Sequence, residues 1–280
     1  MNINQIVSHA HILLKKANIR NPRLEANLII SETLKINLDD MPAKTENLNN
    51  QHTKNIFSKI DRRIKGEPYA YIIGNKPFYN LNIIVDKNVL IPRPETEHII
   101  ETALANIQNI EDKINIIDIG VGSGAILCTL LDKLPNAYGI GTDISEKALM
   151  IAKKNIKKYR LNDRSNLINT SWGNSIKNHF FDLLTCNPPY VSEKSLTNLQ
   201  KEVKYEPLIA LNGGEKGLDS LRDLLPSARK CLKLQGKAFF EIGYNQCNSA
   251  QELISNSHFR IQNVIKDLAG IERVIFATAI

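Results

Sequence analysis

The glycine-rich turn Asp118-Ile119-Gly120-Val121-Gly122-Ser123-Gly124 constrains the fold of this chain more than any other stretch. An apolar run at 114–119 leads into it and an apolar-periodic segment at 124–134 leads out. The first reads as a buried strand and the second as a helix, so the glycines sit where one becomes the other. Glycine lets the backbone there pass close to a ligand, and the first turn of the helix offers unpaired N–H groups. About twenty residues on, Thr142-Asp143 closes the next apolar run, where a carboxylate can accept the hydroxyls of a ribose.

The alternation continues along the chain. Residues 137–142 read as a strand, 145–158 as a helix, 167–168 and 181–185 as strands, and 190–214 as a loop. A helix over 217–234, a strand over 237–242, a helix over 248–256 and strands over 259–265 and 273–278 complete the pattern. Strands alternating with helices predict a mainly parallel, doubly wound α/β sheet, and two final strands in succession predict an antiparallel ending. Upstream the pattern is different. Ile6, Val7, Ala10, Leu13 and Leu14 share one helical stripe. Asn21-Pro22 reads as an N-cap and first residue of a helix reaching about residue 35. Ile56, Phe57, Ile60 and Ile64 mark a third helix over 50–65, ended by Gly66. Tyr69, Tyr71, Ile72, Phe78, Tyr79, Ile83, Ile84 and Val85 are strand formers broken by Gly74, Pro77 and Asn80, which predicts a β-hairpin. The expected organisation is a helical domain at 1–70, a β-hairpin linker at 71–92 and a cofactor-binding domain at 93–280.

Composition narrows the function classes. No stretch approaches the roughly 18 apolar residues of a membrane span, and Met1-Asn2-Ile3-Asn4 has no secretory pattern, so a cytoplasmic protein without a membrane partner is expected. Cys128, Cys186, Cys231 and Cys247 are scattered, with no CxxC pair, and the histidines have no HxxxH spacing; free thiols and no metal site are expected. The net charge of +7 permits an anionic partner. Lys153, Lys154, Lys157, Lys158 and Arg160 cluster at helical spacing, which reads as a solvated helix face, and direct nucleic-acid binding is not expected.

A second constellation follows the strand at 181–185. Asn187-Pro188-Pro189-Tyr190 lies in the loop leaving its C-terminal end, where open α/β sheets bind ligands. The prolines stiffen the loop and leave its carbonyls free to accept, while the Asn187 amide offers one acceptor and two donors. Asn187 and the Pro188 carbonyl can therefore grip a planar NH2 group, with Pro189 and Tyr190 as walls. The segment Ile91-Pro92-Arg93-Pro94-Glu95-Thr96-Glu97 pins Arg93 between two prolines, and Arg93 and Glu95 are candidate substrate contacts. For the cofactor, Gly120-x-Gly122-x-x-Ala125 also satisfies a dinucleotide pattern. Two features lean toward S-adenosylmethionine instead. Asp118 stands two residues before the first glycine, where it could meet an ammonium, and Gly124 adds a third close approach. Trp172, the only tryptophan, could pack on an adenine or be a core aromatic.

Taken together these motifs resemble the amino-nitrogen methyltransferases with an (Asn/Asp/Ser)-Pro-Pro-(Tyr/Phe) loop. More closely they resemble the HemK/PrmC family, which methylates the glutamine amide of the Gly-Gly-Gln motif in peptide chain release factors. The resemblance includes Gly66-Glu67-Pro68-Tyr69, Arg93-Pro94-Glu95-Thr96-Glu97, Asp118 to Gly124, Asp143-Ile144-Ser145, Gly213-Gly214, Gly217-Leu218 and Glu241-Ile242-Gly243. Ser171 and Lys216 stand where the family usually has aspartate.

The resemblance implies a Rossmann-like class I methyltransferase fold with a seven-stranded sheet, S-adenosylmethionine as donor and S-adenosylhomocysteine as product. It implies release factors as partners, recognised by the helical domain. Asn187, Pro188 and Tyr190 become the catalytic candidates, with Pro189, Arg93 and Glu95 beside the substrate. Asp118, Gly120, Val121, Gly122, Ser123, Gly124, Asp143, Trp172 and Asn187 become the cofactor-binding candidates. The rival readings are a methyltransferase for an exocyclic amino group of a nucleic-acid base, one for a ribosomal-protein glutamine, an NAD-dependent dehydrogenase, and a non-catalytic cofactor binder.

Overall fold

The computed structural model describes residues 1–44 and 47–280, which form two compact units. The first comprises Met1–Asn75 with Gln200–Tyr205, and the second Lys76–Leu199 with Glu206–Ile280.

In the first unit, helices α1 (Ile3–Lys16), α2 (Pro22–Leu34) and α3 (Asn50–Ile64) pack around Ile6, Leu14, Ile29, Ile30, Ile56 and Ile60, all fully buried. Asn2 starts α1 through a reciprocal cap with Gln5, Oδ1 accepting from the Gln5 amide at 2.9 Å. Asn21 does not cap α2. It takes the left-handed conformation (φ 57°), and Pro22 alone sets the first helical turn. Tyr69–Ile73 also departs from expectation, forming a short helix, α4, rather than the first arm of a hairpin. Pro68 supplies the helix-compatible φ before it, and burying Tyr71 and Ile72 outweighs their strand preference. Arg63 is buried in this unit, with its guanidinium held by Glu25 at 2.5 Å and Glu202 at 2.6 Å.

The hairpin β1 (Asn75–Phe78) and β2 (Leu81–Ile84) comes next in the chain, all but Asn75 in the second unit, and α5 (Glu97–Ala105) follows. A seven-stranded sheet is then built from β3 (Asn115–Ile119), β4 (Tyr138–Asp143), β5 (Ser165–Asn169), β6 (Phe181–Cys186), β7 (Leu232–Glu241), β8 (Phe259–Lys266) and β9 (Glu272–Ala279). Its order is β5-β4-β3-β6-β7-β9-β8, parallel except for β9, which runs antiparallel to both β7 and β8. Helices α6 (Ala125–Lys133), α7 (Glu146–Lys158), α8 (Glu193–Leu196), α9 (Asp219–Cys231) and α10 (Cys247–Asn256) lie in the connections.

β7 begins at Leu232, inside the segment expected to be helical, so α9 stops at Cys231. The loop expected over 190–214 contains α8 and two short 3-10 turns. Lys153, Lys154, Lys157, Lys158 and Arg160 are exposed along and just beyond α7. All four cysteines are free. No helix among the described residues is long and apolar enough to cross a membrane.

The chain leaves β3 toward β4 on one side and returns to β6 on the other. The loops after β3 and β6 therefore diverge at the point where strand order reverses, opening a crevice at the C-terminal edge. Asn155 on α7, fully buried, braces that edge. Its Oδ1 accepts from the Ile84 amide at 2.7 Å, and its Nδ2 donates to the Ile84 and Ser123 carbonyls, both at 2.9 Å. Asn155→Leu leaves three backbone groups without this partner and is expected to cost about 3–5 kcal/mol, at roughly 1–3 kcal/mol per unsatisfied group. A urea midpoint equal to that of the wild type would show that the bridge does not hold the hairpin.

Candidate active site

The crevice is a cavity of about 600 Å³, within the range of small-molecule sites. One wall is the turn after β3: Gly120, Val121, Gly122 and Ser123. Asp143, Ile144, Ser171 and Trp172 follow on the β4 and β5 side, and Thr96, Asn187 and Pro189 lie on the β6 side. Pro207, Leu208, Ile209 and Ala210 complete the lining, with Leu208 60% and Ile209 58% exposed. Eight of the residues singled out from the sequence thus meet in one cavity: Gly120, Val121, Gly122, Ser123, Asp143, Trp172, Asn187 and Pro189.

Asp143 is held by the backbone it faces. Its Oδ2 accepts from the Gly122 amide at 2.9 Å and its Oδ1 from the Ser145 amide at 2.8 Å. Gly122 has φ +53°, so the turn that offers this amide is left-handed. Burial raises the Asp143 pKa, opposed by these backbone bonds. Each oxygen keeps a lone pair for a further donor. Trp172, which also lines the cavity, has positive φ (51°), an unfavourable conformation for a bulky residue.

The remaining candidates stand behind this lining. Asp118 is 1% exposed; its Oδ1 accepts from the Thr185 hydroxyl at 2.8 Å, while its Oδ2 has no hydrogen-bond partner among the described residues. Burial pushes its pKa up to about 7. Gly124 lies against Ala152 at the start of α6. Arg93 pairs with Glu206 at 2.5 Å, and the other Glu206 oxygen accepts from the Ile91 amide at 3.0 Å. That arrangement pins the 206–212 loop onto the segment before α5, and neither Arg93 nor Glu95 is in the lining. Pro188 is buried, and Tyr190 is packed beside Gly243 behind the lining. Burial raises the Tyr190 pKa, with Glu241 adding to the effect.

One residue that sequence reasoning passed over, Thr96, holds the Asn187 amide, and a second, Glu241, lies beside it. Thr96, 4% exposed, accepts from Asn187 Nδ2 at 3.1 Å, and its hydroxyl acts on the Glu241 carboxyl, opposing the rise that burial gives its pKa. The proline-flanked segment is the visible signal in the sequence, but its charged residues Arg93 and Glu95 stand out there and the threonine does not.

An adenosine-bearing methyl donor fits these residues. The carboxylate of Asp143 suits ribose hydroxyls, the glycine amides suit polar atoms of the ligand, and the orphaned Asp118 oxygen suits a cationic group.

Residues 5–74 match the PrmC N-terminal domain, and residues 98–205 match the methyltransferase small domain. A release factor glutamine methyltransferase of Thermodesulfovibrio yellowstonii is 39% identical over 253 residues, covering 90% of each chain. A bifunctional methyltransferase of Rickettsia felis is 34% identical over 313 residues, covering 99% of this chain and 58% of its relative. The chain thus spans little more than half the length of such bifunctional relatives. Among solved structures, the hMettl16 catalytic domain, in complex with the MAT2A 3'UTR hairpin 1, superposes with a TM-score of 0.57 at 15% identity, covering 91% of both chains. At that identity the likeness shows a shared class I methyltransferase fold.

Proposed function

The chain belongs to the release factor glutamine methyltransferase family, and from that premise we propose that it methylates the side-chain amide nitrogen of the glutamine in the Gly-Gly-Gln motif of peptide chain release factors, with S-adenosylmethionine as donor. The observation that carries this reading is Asn187, whose amide nitrogen is engaged by Thr96 at 3.1 Å and which lines the same cavity as the glycine turn. In this reading the protein works in the cytoplasm, and the helical unit at 1–70 recognises the release factor. The exposed Leu208 and Ile209 form an apolar lip for the incoming loop.

S-adenosylmethionine supplies an electrophilic methyl group when bound. Asp143, the 120–124 turn, Trp172 and Asp118 would hold it. An amide nitrogen is a weak nucleophile because its lone pair is delocalised into the carbonyl. Asn187 Oδ1 and the Pro188 carbonyl would each accept one N–H of the glutamine amide. Both acceptors then face the positive charge that develops on nitrogen, and both orient its lone pair. Alignment of this kind supplies on the order of 7–11 kcal/mol in well-oriented systems. Pro189 limits the space around the amide, and Tyr190 braces the loop from behind.

The test is incubation with methyl-labelled S-adenosylmethionine and, separately, release factors, ribosomes, tRNA and duplex DNA, with the label mapped by mass spectrometry. Label on the release-factor glutamine is expected; label on a base or on a ribosomal protein alone would overturn the reading. Asp143→Ala is expected to weaken S-adenosylmethionine binding about tenfold to a hundredfold by calorimetry, as hydrogen bonds to a charged group are worth roughly 1.5–3 kcal/mol. An unchanged Kd would remove Asp143 from the cofactor site.

A further inference from the structure

The parallel register of β6 with β7 pairs Cys186 with Phe240, which brings Asn187 and Glu241 side by side at the C-terminal edge of the sheet. Thr96 sits at the same edge, at the start of α5. It occupies the N-cap position there, yet its side chain makes no capping bond, so its hydroxyl is free for other partners. It accepts from Asn187 Nδ2 at 3.1 Å and acts on the neighbouring Glu241 carboxyl, whose pKa it lowers. Glu241 is 2% exposed, and its Oε2 has no hydrogen-bond partner among the described residues.

We propose that Thr96 and Glu241 are positioning residues that set which end of the Asn187 amide faces the substrate. This rests on the reading of Asn187 given above. An ionised carboxylate only accepts, so a Thr96 hydroxyl turned to Glu241 donates its single proton there. The threonine oxygen can then only accept from Asn187, which turns Nδ2 toward Thr96 and Oδ1 toward the cavity. With Thr96 unable to accept, or with Glu241 protonated and donating to Thr96, the reverse orientation opens. An NH2 group would then confront the NH2 group of the glutamine, donor against donor.

The orientation is therefore linked to ionisation. Burial raises the Glu241 pKa to about 7, with Glu95 adding to the rise and Thr96, Arg273 and Arg93 opposing it. Tyr190 and Cys186 also face this carboxyl. The carboxylate form gains as pH rises through that value, so the productive orientation gains in the same direction.

Two readouts on the full chain test this. In the side-chain 15N–1H NMR spectrum, the Asn187 amide peaks, assigned by their loss in Asn187→Ala, are expected to exchange slowly with solvent and to shift with pH with an inflection near 7. In Glu241→Gln that inflection is expected to vanish. In methyl-transfer kinetics, Thr96→Val is expected to lower kcat about a hundredfold, the scale of a misaligned reacting group. The KM for the release factor should change less than threefold, and Thr96→Ser should restore most of the loss. Rapid exchange of the Asn187 amide in the wild type, an inflection that survives in Glu241→Gln, or wild-type kcat in Thr96→Val would each overturn the inference. If the wild type methylates no glutamine, the proposed function fails, and the spectrum still decides how Asn187 is oriented.

Discussion

Asn187→Ala is expected to lower methyl transfer to the release factor by about three orders of magnitude, while the protein keeps its fold. Removing one preorganised hydrogen-bonding group that faces developing charge costs roughly 10²–10³ in kcat in well-studied enzymes. The loss here falls at the upper end because Asn187 both accepts from the amide N–H and aims its nitrogen. Stability should change little. Asn187 is only partly buried, and among the described residues its side chain bonds only Thr96, at 3.1 Å. Circular dichroism, calorimetry with the cofactor and single-turnover transfer separate these effects. A folded, cofactor-binding Asn187→Ala protein that transfers methyl within tenfold of the wild-type rate would exclude the acceptor role.

Sheet and site were not equally legible in the sequence. Strands buried on both faces read as continuous apolar runs, which is why 114–119 and 181–185 coincide closely with β3 and β6. The glycine turn and Asp143 were legible because a βα turn and the end of the next strand are fixed in sequence relative to each other. Tyr69–Ile73 was misread because local preference gave way to the burial of Tyr71 and Ile72. Thr96 was invisible for a different reason: its partner Asn187 lies 91 residues away, and no local pattern encodes that pairing. Asn155 is a similar case. Its neighbours Lys153, Lys154, Lys157 and Lys158 mark an exposed face, but nothing local shows that Asn155 faces inward to a hairpin 71 residues upstream. Arg93 drew attention as a charge between prolines, yet its pairing with Glu206 makes it a clasp of the loop beside the cavity.

The glycines following the tetrapeptide carry the second large effect. Gly217 has φ +77°, and a Cβ placed there would lie 2.3 Å from the Tyr190 carbonyl oxygen. That neighbour is backbone and cannot swing aside. Gln246 ties the same region together, its Nε2 donating to the Tyr190 carbonyl at 3.0 Å and the Gly217 carbonyl at 3.1 Å, while its Oε1 accepts from the Gly243 amide at 2.8 Å. Gly217→Ala must therefore move either its own loop or Asn187-Pro188-Pro189-Tyr190. The left-handed backbone alone costs roughly 1–2 kcal/mol for a residue with a Cβ. The forced displacement brings the total to about 3 kcal/mol or more, within the range of strained or overpacked substitutions. Transfer should also fall about a hundredfold, because Asn187 shifts with the loop. Gly270 separates the two causes: its φ is +79°, but a Cβ there would meet nothing within 4 Å, so Gly270→Ala should show the backbone cost alone and normal kcat. Chemical denaturation and single-turnover transfer on the two variants decide the matter. Equal stability loss and equal kcat in both would mean that the close approach of Gly217 to Tyr190 does not hold the tetrapeptide in place.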